Sequence, residues 1–264
     1  MIGVVVPAHN EQDRLARCLA SIARAAAHPA LAGEPVRVMV VLDACTDGSA
    51  QVVARHLASA APVATGASRA PAPSGATDAT GTTGATDPSD ESTRGATRAR
   101  RRARCEVSAL CVQARNVGVA RAAGAIRLIG QGARWLAFTD ADTTVSRGWL
   151  VAQLGLGADA VCGTVGVRGW RAHAAAVRER YAQRYVDADG HRHIHGANLG
   201  VSTAWYLRAG GFAPLAEHED VALVRALTER GASIAWSAAP RVTTSARRDA
   251  RARGGFGDYL LALG

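Results

Sequence analysis

The sequence contains no lysine: all 31 basic side chains are arginines, and the formal net charge is +9. Arginine makes planar, bidentate contacts with phosphate, but complete replacement of lysine is more simply a habit of codon composition than a design for nucleic acid. The basic balance therefore suits anionic ligands without identifying one, and no specific nucleic-acid partner is expected.

Long apolar runs, a leader and cysteine pairs are also missing. No stretch approaches the roughly 18 consecutive apolar residues of a membrane span, and the start, MIGVVVPAHNEQ, lacks the basic region and cleavage site of a signal peptide. The five cysteines are scattered and form no CxxC pair, which argues against a disulfide framework or a zinc knuckle. These absences predict a cytosolic protein with reduced thiols. Its 264 residues, 48% of them apolar, suffice for one folded domain.

One segment, residues 60–104, differs sharply from the rest. It contains no aromatic residue, no Leu and no Ile, and is rich in Ala, Thr, Gly, Pro and Ser. Such a composition cannot bury a core, so we predict a disordered insertion. Its arginine-rich end lacks the interleaved aromatic residues of a base-stacking surface, which favours a solvated loop over a binding arm. The folded domain is therefore expected to comprise residues 1–59 and 105–264.

Outside this segment, apolar strand-like runs alternate with helical patterns. The strands are predicted at 2–6, 36–42, 107–112 and 135–139, and the helices at 12–27, 49–57 and 117–130. Near-continuous apolar strands, each followed by a helix, predict an α/β fold with a mainly parallel sheet covered on both faces. Ligands of such sheets bind at the carboxyl ends of the strands. Each predicted strand is followed there by polar residues, namely PAHNE, DACTDGS, QARN and TDADTT.

These motifs resemble, in order, the nucleotide-sugar glycosyltransferases of the GT-A fold, family 2. The resemblance is carried by PAHNE at 7–11, VVLDACTDGS at 40–49, ARN at 114–116, DAD at 140–142, GAN at 196–198 and HED at 218–220. It covers nearly the whole chain apart from the insertion and the last fifteen residues. It implies a single GT-A (Rossmann-like) domain whose nucleotide-binding part extends to about residue 145, with the acceptor part after it.

The resemblance implies a hexosyltransferase that moves a sugar from a UDP- or GDP-type nucleoside diphosphate sugar to a hydroxyl. Inversion is the family expectation, but some enzymes with similar strand-end motifs retain the configuration, and these residues do not decide between the two. The acceptor stays unspecified, and an anionic acceptor or one at a membrane surface is compatible with the basic charge. Mg²⁺ or Mn²⁺ can offset the charge of the leaving diphosphate by bridging carboxylate and phosphate oxygens. The family pattern assigns Asp142 to the metal and Asp140 to metal and donor jointly. It assigns further nucleotide-sugar contacts to Pro7, Ala8, Glu11 and Asn198.

Four other residues are candidates on chemical grounds as well. Asp43 ends the second strand and can accept a hydrogen bond from a base imide or a ribose hydroxyl, and Arg115 can reach a base or a phosphate. Asp220 is the first choice, and Glu219 the second, for the general base that removes the proton of the acceptor hydroxyl. Both carboxylates also have a simpler explanation, because acidic residues at a helix N-terminus interact favourably with the helix dipole.

Histidines and C-terminal arginines leave alternatives open. His191, His193 and His195 alternate, so a strand would place them on one face as in a metal cluster, although a polar strand end is the favoured interpretation. His195 and His218 are further candidates for substrate contact. Arginines that can fold over a diphosphate or form a solvated tail are Arg247, Arg248, Arg251 and Arg253.

Two rival functions fit part of the pattern. FTDADTT matches the DxDxT of haloacid dehalogenase-like phosphatases, with Asp140 as nucleophile and Asp142 as acid/base. That family places the motif near the N-terminus and uses a later lysine, which this sequence lacks. The second rival is a non-catalytic module that binds a nucleotide sugar or RNA.

Overall fold

The computed structural model describes residues 1–60, 105–248 and 256–262. Apart from Ala60, the low-complexity segment predicted at 60–104 lies outside these residues. The strands are β1 (Ile2–Ala8), β2 (Val36–Asp43), β3 (Cys105–Val112), β4 (Trp135–Phe138), β5 (Thr144–Val145), β6 (Ala160–Arg168), β7 (Leu199–Ser202) and β8 (Ile234–Ser245). The helices are α1 (Leu15–Ala26), α2 (Ser49–Ala60), α3 (Val117–Gly130), α4 (Trp149–Gly155), α5 (Ala175–Arg184), α6 (Thr203–Arg208), α7 (Glu219–Glu229) and α8 (Phe256–Ala262).

The strands within the described residues form one sheet in the order β3-β2-β1-β4-β7-β6-β8-β5. Strand β1 pairs in parallel with β2 and β4, and β2 pairs in parallel with β3. Strand β7 enters antiparallel between β4 and β6, and β5 lies antiparallel to β8 at the far edge. The expected α/β fold with a mainly parallel sheet is confirmed, since β6 and β8 also pair in parallel and, among the described strands, β5 and β7 alone run in the opposite direction. In the second half no regular strand–helix alternation signals the strand direction.

The seven elements predicted before residue 140 are all present, because their apolar patterns match the two faces of the sheet. In β1, Val4 and Val6 are buried in one core cluster and Val5 in the other. A strand buried on both faces must be apolar at every position, which is the pattern of a central parallel strand. Helix α1 covers the first cluster with Leu15 and Leu19, spaced one turn apart.

Helix α3 covers the opposite face and lies unusually close to the sheet. Its start is capped by Asn116, whose Oδ1 accepts a hydrogen bond from Val119 N at 3.0 Å. Gly124 makes the close approach possible, since a Cβ atom there would lie 2.6 Å from Val5 Cγ1. The first turns of α3 are thereby held at the carboxyl edge of β1 and β4.

No helix in the described part of the chain is long and apolar enough to cross a membrane. All five cysteines are free thiols, as the sequence predicts. Cys18 and Cys162 are buried, and burial raises the pKa of Cys162 to about 12.

Candidate active site

A cavity of about 930 Å³ opens at the carboxyl edge of the parallel strands. It is lined by nine of the ten site residues predicted from the sequence: Pro7, Ala8, Glu11, Asp43, Arg115, Asp140, Asp142, Glu219 and Asp220. Strand ends of the first half contribute one wall, and the start of α7 contributes another. The carboxylates of the DAD and HED motifs therefore face one space, although they lie almost 80 residues apart in sequence.

The two carboxylates of the DAD motif follow β4 and have different surroundings. Asp140 Oδ1 accepts a hydrogen bond from Arg121 Nη2 at 2.6 Å. Asp142 Oδ1 accepts one from Thr244 Oγ1 at 3.2 Å. Burial raises the pKa of Asp142 to about 6, and repulsion from Asp140 and Glu11 adds to the rise. A buried carboxylate next to two others favours a cation in this corner of the cavity.

An arginine from the segment after β8 supplies positive charge there. Arg247 forms two hydrogen bonds with the carboxylate of Glu11, from Nη1 at 2.9 Å and from Nη2. Its Nη2 also lies 3.5 Å from Asp142 Oδ2, and it opposes the rise in the pKa of Asp142. Of the other C-terminal arginines, Arg248 is exposed, whereas 251 and 253 lie outside the described residues.

Asp43 shapes the loop between β3 and α3. Its Oδ1 accepts hydrogen bonds from the backbone N–H groups of Ala114 and Arg115, and its Oδ2 accepts one from Asn116 N, all at 2.8 Å. These bonds hold Arg115 in the left-handed region, at φ 47°, which is unfavourable for a residue with a side chain. The exposed Arg115 side chain lies at the cavity rim, and Asp43 supports its position from below.

A buried arginine that the sequence analysis missed connects the two motifs. Arg121 on α3 is 3% exposed, and its Nη1 donates a hydrogen bond to Glu219 Oε1 while Nη2 contacts Asp140. Its helical register is the feature of the sequence that could have revealed it. Arg121 lies three and four residues before the buried Gly124 and Ala125, so a charged side chain occupies the core-facing stripe of α3.

The second carboxylate of HED lies beside the GAN motif. Asp220 Oδ2 accepts a hydrogen bond from Gly196 N at 2.6 Å, and its Oδ1 accepts one from Val221 N at 2.8 Å. The preceding His218 has φ 60°, so the chain turns sharply into α7 and places Asp220 at the cavity. Glu219 is buried and bound to Arg121, whereas Asp220 accepts from these two backbone N–H groups.

The three alternating histidines belong to a loop rather than a strand, yet their rings do stack. His193 stacks on Tyr185 at a centroid distance of 4.2 Å, and His191 and His195 lie 5.5 and 5.9 Å from His193. Val186 N donates to His193 Nε2, so this nitrogen is an acceptor. Across the described ranges, no group of three or more His, Cys, Asp or Glu is arranged to hold a metal ion. The ring stacking and the hydrogen bond accepted by His193 Nε2 are compatible with a polar wall of the pocket.

Asn198, the tenth predicted residue, does not line this cavity. Its side chain is fully buried, with Nδ2 donating to Thr164 O at 2.7 Å and to Pro240 O at 2.5 Å. Its Oδ1 accepts from Trp149 Nε1 at 2.9 Å. The amide thus joins β6, β8 and α4, and both of its polar atoms have protein partners.

Comparison with known proteins identifies the fold. A family model described as glycosyl transferase family 2 matches residues 3–64, which confirms the family resemblance carried by the motifs over that range. Sequence comparison with curated proteins finds no significant match.

The structure is similar to S. aureus TarS 1-349 in complex with UDP-GlcNAc, with TM-score 0.58 and 14% identity over 99% of this chain and 64% of that one. It is also similar to the mannosyltransferase PcManGT from Pyrobaculum calidifontis in complex with GDP-Man and Mn²⁺, with TM-score 0.55 and 14% identity over 95% of this chain and 58% of that one. A third is GalNAc-T7 with UDP, GalNAc and Mn²⁺, with TM-score 0.55 and 14% identity over 97% and 45% of the two chains. The chain thus spans less than two thirds of each of these proteins. At such low identity the likeness shows the GT-A fold alone.

Proposed function

We propose that this chain, which has the GT-A fold and matches glycosyl transferase family 2 at residues 3–64, transfers a sugar from a nucleoside diphosphate sugar to an acceptor hydroxyl. The observation that carries the proposal is the single cavity that brings Asp140 and Asp142 together with Asp220. Donor chemistry needs positive charge near a diphosphate, and acceptor chemistry needs a base near the attacking hydroxyl. The DAD motif offers carboxylates that can hold a cation beside the diphosphate, and the HED motif offers a base, at the same cavity.

The residues at the DAD motif fit a divalent cation. Mg²⁺ takes one or two carboxylates and completes its shell with water and substrate phosphates, so the small number of protein ligands is compatible with such an ion. Asp142 is the main candidate ligand, and Asp140 retains Oδ2 while Oδ1 is bound to Arg121. The raised pKa of Asp142 supports this assignment, since a cation relieves the repulsion among the neighbouring carboxylates. Bound Mg²⁺ or Mn²⁺ would supply charge neutralisation of the leaving diphosphate, and PcManGT and GalNAc-T7 were both solved with Mn²⁺.

The nucleoside is assigned to the wall formed by Pro7, Ala8 and Glu11 and by the loop that carries Arg115. Asp43 already accepts three backbone hydrogen bonds, so its main contribution is to hold this loop in shape. A direct contact between Asp43 and the base then uses its remaining acceptor capacity. TarS was solved in complex with UDP-GlcNAc and PcManGT in complex with GDP-Man, so these structures are compatible with either a UDP or a GDP donor.

Asp220 is assigned as the general base. The acceptor oxygen attacks the anomeric carbon, its proton passes to Asp220, and the bond from the anomeric carbon to the diphosphate oxygen breaks with its electron pair on the diphosphate. A direct displacement of this kind inverts the anomeric configuration. Glu219, the second choice from sequence, is unsuited to the role because it is buried and paired with Arg121.

The first test is thermal shift of the purified protein with UDP, GDP, ADP and CDP, each with and without Mn²⁺, because binding to the native state raises its stability. We expect one diphosphate to give a Mn²⁺-dependent shift that disappears in Asp142→Ala. Donor turnover, followed as release of diphosphate from UDP-GlcNAc, UDP-glucose and GDP-mannose, is expected to fall roughly 10²- to 10⁴-fold in Asp220→Asn while diphosphate affinity is retained.

Two results would contradict the proposal. A protein that binds no diphosphate would remove the donor assignment. Normal turnover in Asp142→Ala or Asp220→Asn would show that the carboxylates are dispensable and would favour a binding module. The phosphatase alternative gains no support, because the GT-A fold explains the position of DAD after a central strand.

A further inference from the structure

Arg121 occupies an unusual place, because one buried guanidinium bonds to both carboxylate motifs. Its Nη2 lies 2.6 Å from Asp140 Oδ1 after β4, and its Nη1 bonds to Glu219 Oε1 at the start of α7. The side chain is 4% exposed. An arginine removed from water is stable only when paired, so its position is determined by these two carboxylates.

The surroundings leave the guanidinium little freedom to move. Its Cζ lies 5.8 Å from the centroid of the Phe212 ring on one side. Gly196 packs against it on another, where any Cβ atom would collide with the guanidinium nitrogens. The N–H of the same Gly196 donates to Asp220 Oδ2 at 2.6 Å. A shift of Arg121 would therefore disturb Asp140, Glu219 and the backbone group that orients Asp220.

We propose that Arg121 is a positioning residue that fixes the donor-side carboxylate Asp140 and the base-bearing start of α7 relative to each other. The inference rests on the proposed function, because Arg121 is expected to act through the roles proposed there for Asp140 and Asp220. It assigns no contact between Arg121 and a substrate. The planar guanidinium of Arg121 holds its two hydrogen-bonding nitrogens at a fixed separation, which a lysine cannot reproduce. Loss of the guanidinium is expected to weaken donor binding through Asp140 and to slow turnover through Asp220.

A purely structural role makes a different prediction. Buried ion pairs often contribute little stability relative to apolar residues of similar volume, whereas removing one partner leaves a costly unpaired charge. The double variant Arg121→Met with Glu219→Leu replaces the pair by apolar side chains and is expected to restore much of the stability lost in Arg121→Met. If Arg121 serves only the fold, binding and turnover should recover together with stability.

The experiment compares wild type, Arg121→Lys and the double variant by isothermal titration calorimetry. The titrant is the nucleoside diphosphate that gives the largest Mn²⁺-dependent thermal shift, with Mn²⁺ present. Urea unfolding of the same proteins gives the folded fraction, and the measured Kd multiplied by that fraction is the Kd of the folded protein, so this readout separates positioning from folding. Release of diphosphate from the matching sugar nucleotide gives kcat. Arg134→Lys is the matched control, because Arg134 forms a bidentate pair with Glu34 and does not line the cavity.

We expect Kd to rise at least fivefold and kcat to fall roughly 10²-fold in both Arg121 variants, the second figure being typical of misplacement by about 1 Å. The Arg134 control should keep wild-type values. Wild-type Kd and kcat in the double variant overturn the inference, and a change in only one of the two contradicts the coupling. If the double variant does not fold, Arg121→Lys decides by the same criteria. A wild type that binds no diphosphate overturns the proposed function as well, so the two failures are distinguishable.

Discussion

Two groups in the cavity wall, His195 and Asp142, should contribute opposite changes in stability with pH that partly cancel. Burial lowers the pKa of His195 to about 4. Tyr185 hydroxyl accepts from Val165 N and can donate its own proton to His195 Nε2, which favours the neutral ring. Burial raises the pKa of Asp142 to about 6, helped by the neighbouring carboxylates. The two shifts act in opposite directions as the pH falls.

The magnitudes follow from linkage between proton binding and folding. In the unfolded chain the pKa of His195 is about 6.5, and above that pH the neutral, buried ring contributes its full stability. This contribution is lost as the pH falls towards 4. Between pH 8 and pH 5 the loss is about 2 kcal/mol. Asp142 is stabilising in its protonated form, which is gained as the pH falls through 6. Its contribution between pH 8 and pH 5 is about 1 kcal/mol of added stability. The two changes are opposite in sign, so they partly cancel.

Urea unfolding at pH 8 and pH 5, with EDTA present, separates the two contributions. His195→Gln keeps an acceptor for Tyr185 but cannot titrate, so its stability at pH 5, relative to pH 8, should exceed that of wild type by about 2 kcal/mol. Asp142→Asn should show the opposite change, with a relative loss of about 1 kcal/mol. Each variant measured at pH 8 is its own control for the packing and hydrogen bonds that the substitution removes. If the free energy of unfolding changed between pH 8 and pH 5 by the same amount in His195→Gln and in wild type, the assignment of a neutral, buried His195 would be refuted.

Three further substitutions test the roles of individual residues. Asp43→Ala should destabilise the protein by about 2 kcal/mol in urea unfolding and weaken diphosphate binding, since it frees the loop that carries Arg115; unchanged binding would contradict this role. Asn198→Ala should cost about 3 kcal/mol of stability and leave diphosphate Kd unchanged in the folded fraction, whereas a selective loss of affinity would restore its assignment to the donor site. Arg247→Met should tighten the binding of Mn²⁺ alone severalfold by calorimetry, because the guanidinium competes for Glu11 and Asp142; weaker Mn²⁺ binding would contradict competition.

The sequence predicts much of this site because chemistry and topology coincide at strand ends. Asp140 and Asp142 directly follow an apolar run, and the carboxyl ends of parallel strands meet at one edge, so their convergence follows from the order of elements. Asp43 likewise is a carboxylate at the carboxyl end of an apolar strand. Its actual partners are three N–H groups of a loop whose conformation depends on Arg115 at positive φ, which no local pattern reveals. Sequence thus locates the polar groups but does not separate those that face the cavity from those that support it.

Asn198 and Arg121 illustrate the same limit from opposite sides. Asn198 belongs to a recognisable motif, yet its amide is satisfied by groups on β6, β8 and α4, which only the tertiary packing brings together. Arg121 belongs to none of the quoted motifs, yet its partners lie in two of them. The partners of Arg121 lie 19 and 98 residues away along the chain, and those of Asn198 lie 34 to 49 residues away, so no local pattern reveals either set.

The two arginines that bind carboxylates at this cavity have different consequences for catalysis. Arg121 is enclosed between Asp140 and Glu219, so its charge is offset inside the protein whether or not a donor is bound. Arg247 comes from the segment after β8 and bonds to Glu11 beside Asp142, in the corner proposed for the cation and the diphosphate. A cation held by Asp142 would repel this guanidinium, whereas a bound diphosphate would attract it. The same arginine is therefore expected to oppose the metal alone and to favour the metal together with the nucleotide, which makes the order of addition measurable by calorimetry.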